Sequence, residues 1–320
     1  MIKIDDWVIE KGEKAQGKIE IVGRGMAMPA TVICGAEDGP TILITAGIHS
    51  AEYVGIQAAM ELAKEFQPEE LKGNVIIIPL VNVSGFEHRT MVYEDGKNLN
   101  RVFPGNPEGT AAECIACTIV RKLFSITDYY IDLHSGDGYE QLHPYVYYVG
   151  VVDEDTVEKS LHMARHIGVK YVVRSTTATG GAYNYAASLG IPSILIERGG
   201  HSYWTWEEVE QDKRDVRHLI LHLQGKKCQG LKHYRQMLLE NVVYEYAPYT
   251  GCWYPSKKPG EYFFKGEDLG ELRDYYGNLL YTSVATENGV VLYQTASLNI
   301  IEDGPMIAYA AITETLFESE

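Results

Sequence analysis

A histidine and a glutamate three residues apart, His49-x-x-Glu52, follow an apolar run and a glycine, and a second histidine, His134, closes another apolar run. Two imidazoles and one carboxylate form the three-ligand set of a catalytic zinc site, with the fourth position left to water. Water on such an ion ionises near neutral pH and becomes a nucleophile. Asp132, two residues before His134, is placed to orient a ligand imidazole from behind. Glu197 ends a third apolar run, where a carboxylate can take the proton from that water and pass it to a leaving amine. The chemistry these types and spacings allow is hydrolysis of an amide bond.

Each motif alone has an ordinary reading. His-x-x-Glu is a common surface or helix-cap feature, a histidine after a strand is usually a hydrogen-bonded structural residue, and Glu197 beside Arg198 reads as a solvated pair. Together they carry more, because all three polar groups terminate apolar strands. Between the ligands lies Asn98-Leu99-Asn100-Arg101-Val102-Phe103-Pro104-Gly105. Arg101 has the planar fork that grips a substrate carboxylate, and Asn100 adds an amide donor. Arg89 is a candidate for polarising the scissile carbonyl; its alternative is an exposed loop arginine. Arg198, next to the presumed base, is expected to depress the Glu197 pKa.

These residues need a frame that brings strand ends together. From residue 41 to about 239, short β-branched apolar runs alternate with longer segments of helical period. Strands are predicted at 41–46, 74–81, 129–133, 145–149, 169–173 and 193–197. Helices are predicted at 51–66, 110–124, 154–167, 181–189, 207–224 and 229–240. The strands are apolar throughout, which fits a mixed, largely parallel sheet flanked by helices: an α/β fold. Ligands bind such sheets beyond the carboxyl ends of the strands, where His49, His134 and Glu197 fall. After about residue 241 the runs shorten, with turns at Pro259-Gly260, Gly277-Asn278 and Asp303-Gly304. The expected division is therefore 1–240, catalytic, and 241–320, a small all-β domain resembling a barrel-sandwich. Lys265 is the last lysine, so the hairpin in which lipoyl and biotinyl carriers present their lysine has none here. This part is expected to be unmodified and to shape the cleft entrance or an oligomer interface. Six of its tyrosines (Tyr254, Tyr262, Tyr275, Tyr276, Tyr281 and Tyr293) are candidates for a substrate-facing hydroxyl.

Composition narrows the class. A net charge of −16, with no basic block, argues against nucleic-acid binding. No apolar stretch is long enough to span a bilayer, and residues 1–13 carry charges where a secretory signal would be apolar. The expected setting is the cytoplasm, without a membrane partner. Five scattered cysteines fit reduced thiols there, and Cys114-x-x-Cys117, in a helical stretch with no second pair, reads as structural rather than zinc-binding. Gly23-Arg24-Gly25 lacks the third glycine and the helix of a nucleotide loop.

The ordered set Gly47-Ile48-His49-Ser50-Ala51-Glu52, Asn98 to Gly105, Asp132-Leu133-His134 and Glu197-Arg198-Gly199-Gly200 resembles the succinylglutamate desuccinylase/aspartoacylase family, of zinc carboxypeptidase-like fold. The resemblance covers about residues 35–200. It implies one zinc ion per chain on His49, Glu52 and His134, with Glu197 as base and then acid. It also implies Arg89 at the carbonyl, and Asn100 and Arg101 on the carboxylate of a small N-acyl substrate. Ser50 departs from the glycine common in relatives and is expected to tighten the turn or touch substrate. The expected activity is deacylation of an N-acyl amino acid. Its rivals are a zinc carboxypeptidase acting on short peptides and a non-catalytic binding protein of the same fold.

Overall fold

The computed structural model describes residues 1–91, 95–226 and 235–318, with side chains through 311. Its centre is a thirteen-stranded mixed sheet. From one edge the order is Lys14–Glu20, Ala27–Cys34, Lys72–Ile78, Glu37–Ala46, Tyr129–His134, Ser193–Glu197, Tyr145–Val149, Tyr171–Ser175, Arg235–Tyr246, Pro305–Glu318, Gly289–Thr295 and Tyr262–Phe263. The thirteenth strand, Glu140–Leu142, pairs separately with Gly289–Thr295. Glu37–Ala46 is parallel to both its neighbours, Lys72–Ile78 and Tyr129–His134, and Ser193–Glu197 is parallel to Tyr129–His134. The direction reverses at Tyr145–Val149, which runs antiparallel to Ser193–Glu197 and parallel to Tyr171–Ser175, itself parallel to Arg235–Tyr246.

Helices cover both faces, because nearly every side chain of the central strands is buried. Against one face pack Tyr53–Glu65, Glu154–Arg165 and Trp206–Leu223, through Ala59, Leu62, Met163, Ala164, Val216 and Leu219. Against the other lie Ala111–Thr118 and Ala182–Ser188, through Ile115, Ala116, Ala186 and Ala187. Trp206–Leu223 starts at a full capping box, the Thr205 side chain taking the Glu208 N–H and the Glu208 carboxylate the Thr205 N–H. Asp153 caps Glu154–Arg165 in the same way, accepting from Thr156 N. Cys114 and Cys117 are buried on Ala111–Thr118 as free thiols, and Cys228 lies outside the described residues. No helix among the described residues is long and apolar enough to cross a membrane.

The helix expected at 229–240 is not formed where it is described: residues from Arg235 onward are the strand Arg235–Tyr246, and 229–234 lie outside the described residues. Its leucines, Leu231, Leu238 and Leu239, match a helical period, but sheet pairing decides the outcome. Met237 to Leu239 pair with Tyr171 to Val173, and the whole strand pairs with Pro305–Glu318. This strand runs through residue 240, so the central sheet continues without a break into the C-terminal region. A second, four-stranded sheet follows, ordered Leu279–Val284, Asp268–Arg273, Gly251–Pro255, Asn299–Ile300, with its own core around Trp253, Leu269, Leu272 and Met306.

Candidate active site

The central strands deliver the polar residues side by side. Glu197 is in register with His134 on the neighbouring parallel strand, and Ala46, next to the His49 turn, is in register with Leu133. Gly47 makes the turn possible: its φ of 68° is left-handed, and a Cβ there would meet Leu80 Cδ1 at 2.9 Å. Glu52 occupies the N-cap of Tyr53–Glu65, with no side-chain cap bond to its own helix. Its carboxylate turns instead to the histidines, Oε1 lying 2.7 Å from His49 Nδ1 and Oε2 2.8 Å from His134 Nδ1. Ser135 N donates to the same Oε2 at 3.2 Å. One ligand atom from each of His49, Glu52 and His134 lies within 4.8 Å of the others.

The surroundings tune this group. Burial alone would raise the Glu52 carboxyl, but His134 and then His49 outweigh it and hold the group at about 2. Burial works against a charged His134, yet Glu52 and Asp132 overcome it and raise that imidazole well above its ordinary value. Asp132 is fully buried, its Oδ2 3.2 Å from His134 Nε2 and its Oδ1 accepting from Thr45 Oγ1 at 2.7 Å. It thus stands behind the imidazole as expected. His49 Nε2 meets Asn98 Oδ1 at 3.0 Å, and that oxygen also accepts from Asn100 N. Asn98 is an orienting residue the sequence reasoning passed over, although it lies inside the Asn98 to Gly105 motif.

Glu197 faces the same cleft. Burial first, and then the charge of Glu52, push its carboxyl well above the carboxylate range, with His134 opposing. The expected depression by Arg198 does not occur, because neighbouring residues at a strand end point to opposite faces. The Arg198 guanidinium is buried under Trp206–Leu223, donating to Asp212 Oδ1 at 2.6 Å and Asp215 Oδ2 at 2.7 Å. Ser50 is buried and donates its hydroxyl to Thr90 O, tying the ligand turn to the end of Val83–His88 without lining the cleft.

The cleft has a volume of about 680 Å³. Arg101 lines it, its Nη1 on Asn100 O at 2.8 Å. Asn100 lines it too; its side-chain carbonyl accepts from Ala182 N at 2.8 Å, which leaves the amide NH2 for a ligand. Arg89 is exposed at the left-handed C-cap of Val83–His88, with φ 57°, and does not line the cleft. Two further carboxylates do, Asp137 and Glu140. Burial raises Asp137 to about 6 and, with Asp137 and Glu52 beside it, Glu140 to about 8. Of the six C-terminal tyrosines only Tyr293 reaches the lining; Tyr145, Tyr147, Tyr244 and Tyr246 join it, with Tyr147 and Tyr244 hydroxyls 3.2 Å apart. The alternating Tyr145-Val146-Tyr147 was the available signal for that wall, and Asp137, three residues after His134, for the acidic corner.

An α/β sheet that gathers two imidazoles and three carboxylates at the ends of adjacent parallel strands defines a hydrolase-like architecture with a metal-competent centre. The model of the succinylglutamate desuccinylase/aspartoacylase catalytic domain matches residues 38–223, and the chain belongs to that family. It is similar to the N-alpha-acetyl-L-2,4-diaminobutyric acid deacetylase of Halomonas elongata, 31% identical over 258 residues, which are 79% of this chain and 71% of that protein. Its fold is that of the product-bound ectoine utilization protein EutE of Ruegeria pomeroyi, with TM-score 0.86, 23% identity and coverage of 96% of this chain and 98% of that one. A succinylglutamate desuccinylase/aspartoacylase from Rhodobacter sphaeroides superposes with TM-score 0.85, 23% identity and coverage of 97% and 98%.

Proposed function

We propose that the protein is a metal-dependent deacylase that hydrolyses the amide bond of an N-acyl amino acid, with one zinc ion on His49, Glu52 and His134. The observation that carries this reading is the convergence of those three residues with Glu197 beside them in register. The donor set fits the ion: two imidazole nitrogens and a carboxylate, each with a ligand atom within 4.8 Å of the others, suit a tetrahedral divalent metal with one open position. Bound there, zinc supplies a polarised water that ionises near neutral pH.

The chain's own groups do the remaining work. Glu197 takes a proton from the attacking water and returns it to the amide nitrogen as the amine leaves; its raised pKa suits a group that must hold that proton between the two steps. Arg101 and the Asn100 amide hold the substrate carboxylate. Asp137 offers negative charge to a second, cationic amine on the substrate, and Glu140, held protonated by burial, gives up its proton when that cation comes beside it, which agrees with the diaminobutyrate named for the Halomonas relative. Tyr244, Tyr246, Tyr293 and Pro305 wall the cleft, favouring a small N-acyl amino acid over a peptide. Arg89 completes the reading only when the exposed end of Val83–His88 moves inward on substrate binding. The free thiols of Cys34, Cys114, Cys117 and Cys252 agree with a cytoplasmic setting.

Glu197→Gln is the decisive variant. It should keep its zinc and lose turnover of N-acetyl-diaminobutyrate by about a hundredfold or more; turnover at the wild-type level would remove Glu197 from the chemistry. For Arg89→Ala we expect kcat lowered by about tenfold or more with zinc retained, the loss following from one oxyanion donor. Steady-state kinetics identical to wild type would exclude the inward movement.

A further inference from the structure

Four of the chain's ten histidines gather between Glu154–Arg165 and Trp206–Leu223. His162 and the C-cap residue His166 lie one turn apart at the end of the first helix, and His218 and His222 one turn apart on the second. Residues four apart share one helix face, so each helix presents two imidazoles to the other. His162 Nε2 and His222 Nε2 are 2.8 Å apart, the His166 and His222 rings stack at 3.8 Å, and His166 Nδ1 is 3.3 Å from His218 Nε2. One ligand atom from each of His162, His166 and His222 lies within 4.8 Å of the others. His162 is exposed and the other three are half-buried, so the group is open to ions from solvent. No residue of either helix lines the catalytic cleft.

Hydrogen bonds pair His162 with His222 and His166 with His218, and the stacking of His166 on His222 brings the two pairs into one group of four imidazoles. Burial first, then the neighbouring histidines, hold His166 down at about 3, and burial also lowers His218 and His222. Two nitrogens at the zinc distance of 2.0–2.1 Å stand about 3.3 Å apart around a tetrahedral ion. His162 and His222 therefore need to open by only about half an ångström, a small side-chain rotation at an exposed position. An all-imidazole set suits zinc, nickel or copper, and not magnesium or calcium, which take oxygen ligands.

We propose that His162, His166 and His222 form a second metal site, separate from the cleft, which binds a divalent transition ion and clamps the two helices together. The test is equilibrium dialysis of the full-length protein against micromolar zinc, followed by metal analysis and thermal melting. Two zinc ions per chain are expected in the wild type. His162→Ala/His222→Ala should hold one, keep its deacylase activity, and lose the melting-temperature rise that excess zinc gives the wild type. His134→Ala should hold one and keep that rise. Should the double variant not fold, copper bound to His134→Ala gives the second readout: nitrogen hyperfine structure from three imidazoles in its paramagnetic resonance spectrum, absent in His134→Ala/His162→Gln. A wild type that binds one zinc, or a double variant that binds two, overturns the proposal. A His134→Ala protein that holds two ions, of which the cluster variant removes one, supports this site and removes the cleft assignment instead.

Discussion

At the scale of single residues, charge is placed by the alternation of strand side chains. Glu197 and Arg198 are adjacent in the chain, yet one faces the cleft and the other forms a buried double ion pair with Asp212 and Asp215. Glu140 shows what burial beside other carboxylates does: with Asp137 and Glu52 near it and His134 and Arg101 only partly opposing, it rises to about 8 from an ordinary 4.5. Between those values the folded protein binds a proton that the unfolded chain has released, so this group makes stability fall as pH rises through about 4.5 to 8. Glu140→Gln should flatten that part of the curve of melting temperature against pH, measured with the metal chelated. Equal slopes in the two proteins would show that Glu140 is not the proton binder. In the deacylase assay the same variant should raise KM for a substrate with a side-chain ammonium by about tenfold, the loss of a charge-assisted contact of about 1.5 kcal/mol, and leave KM for N-acetylalanine unchanged.

At the scale of elements, the site is built by strand ends and stabilised from the opposite face of the sheet. The Arg198 pair ties the end of Ser193–Glu197 to the helix Trp206–Leu223. Replacing Arg198 by Met leaves two carboxylates buried without their cation, and breaking a buried pair in this way costs about 3–5 kcal/mol. Arg198→Met should therefore unfold at much lower denaturant, whereas Arg198→Met/Asp212→Asn/Asp215→Asn should recover most of the loss. No recovery in the triple variant would mean that the guanidinium is held for packing alone. The sequence made most elements from residue 41 to 224 legible, though not the helix Val83–His88 or the strand Glu140–Leu142, and with them the candidates His49, Glu52, His134 and Glu197, because a buried parallel strand and a helix leave distinct periods. Tyr145–Val149 and Ser193–Glu197 are found at the bounds expected of them. The strand Arg235–Tyr246 was not legible, since its identity is set by partners far away in the chain on either side, at Tyr171–Val173 and Pro305–Glu318. For the same reason Glu140 and Tyr244 were missed: nothing local in their neighbourhoods tells that pairing with Gly289–Thr295 and Pro305–Glu318 turns them to the cleft.

At the scale of the whole molecule, the C-terminal residues are part of the central sheet and not only an appendage to it. Pro305–Glu318 covers the whole edge of Arg235–Tyr246, and Gly289–Thr295 holds Glu140–Leu142. A chain ended after Tyr246 would expose a long unpaired edge strand, a template for association. We expect that truncated protein to be recovered as aggregates, read by light scattering, and not as an active catalytic half. A monodisperse, zinc-binding fragment would show that the sheet closes without its C-terminal strands. The same topology sets an order on synthesis. Every proposed ligand of the cleft metal and the base lie within the first 200 residues, but Tyr293 and Pro305, which wall the cleft, are made a hundred residues later. The residues that would hold the ion are thus made early and the wall that would choose the substrate is made last, so the chamber is complete only once the final strands have paired.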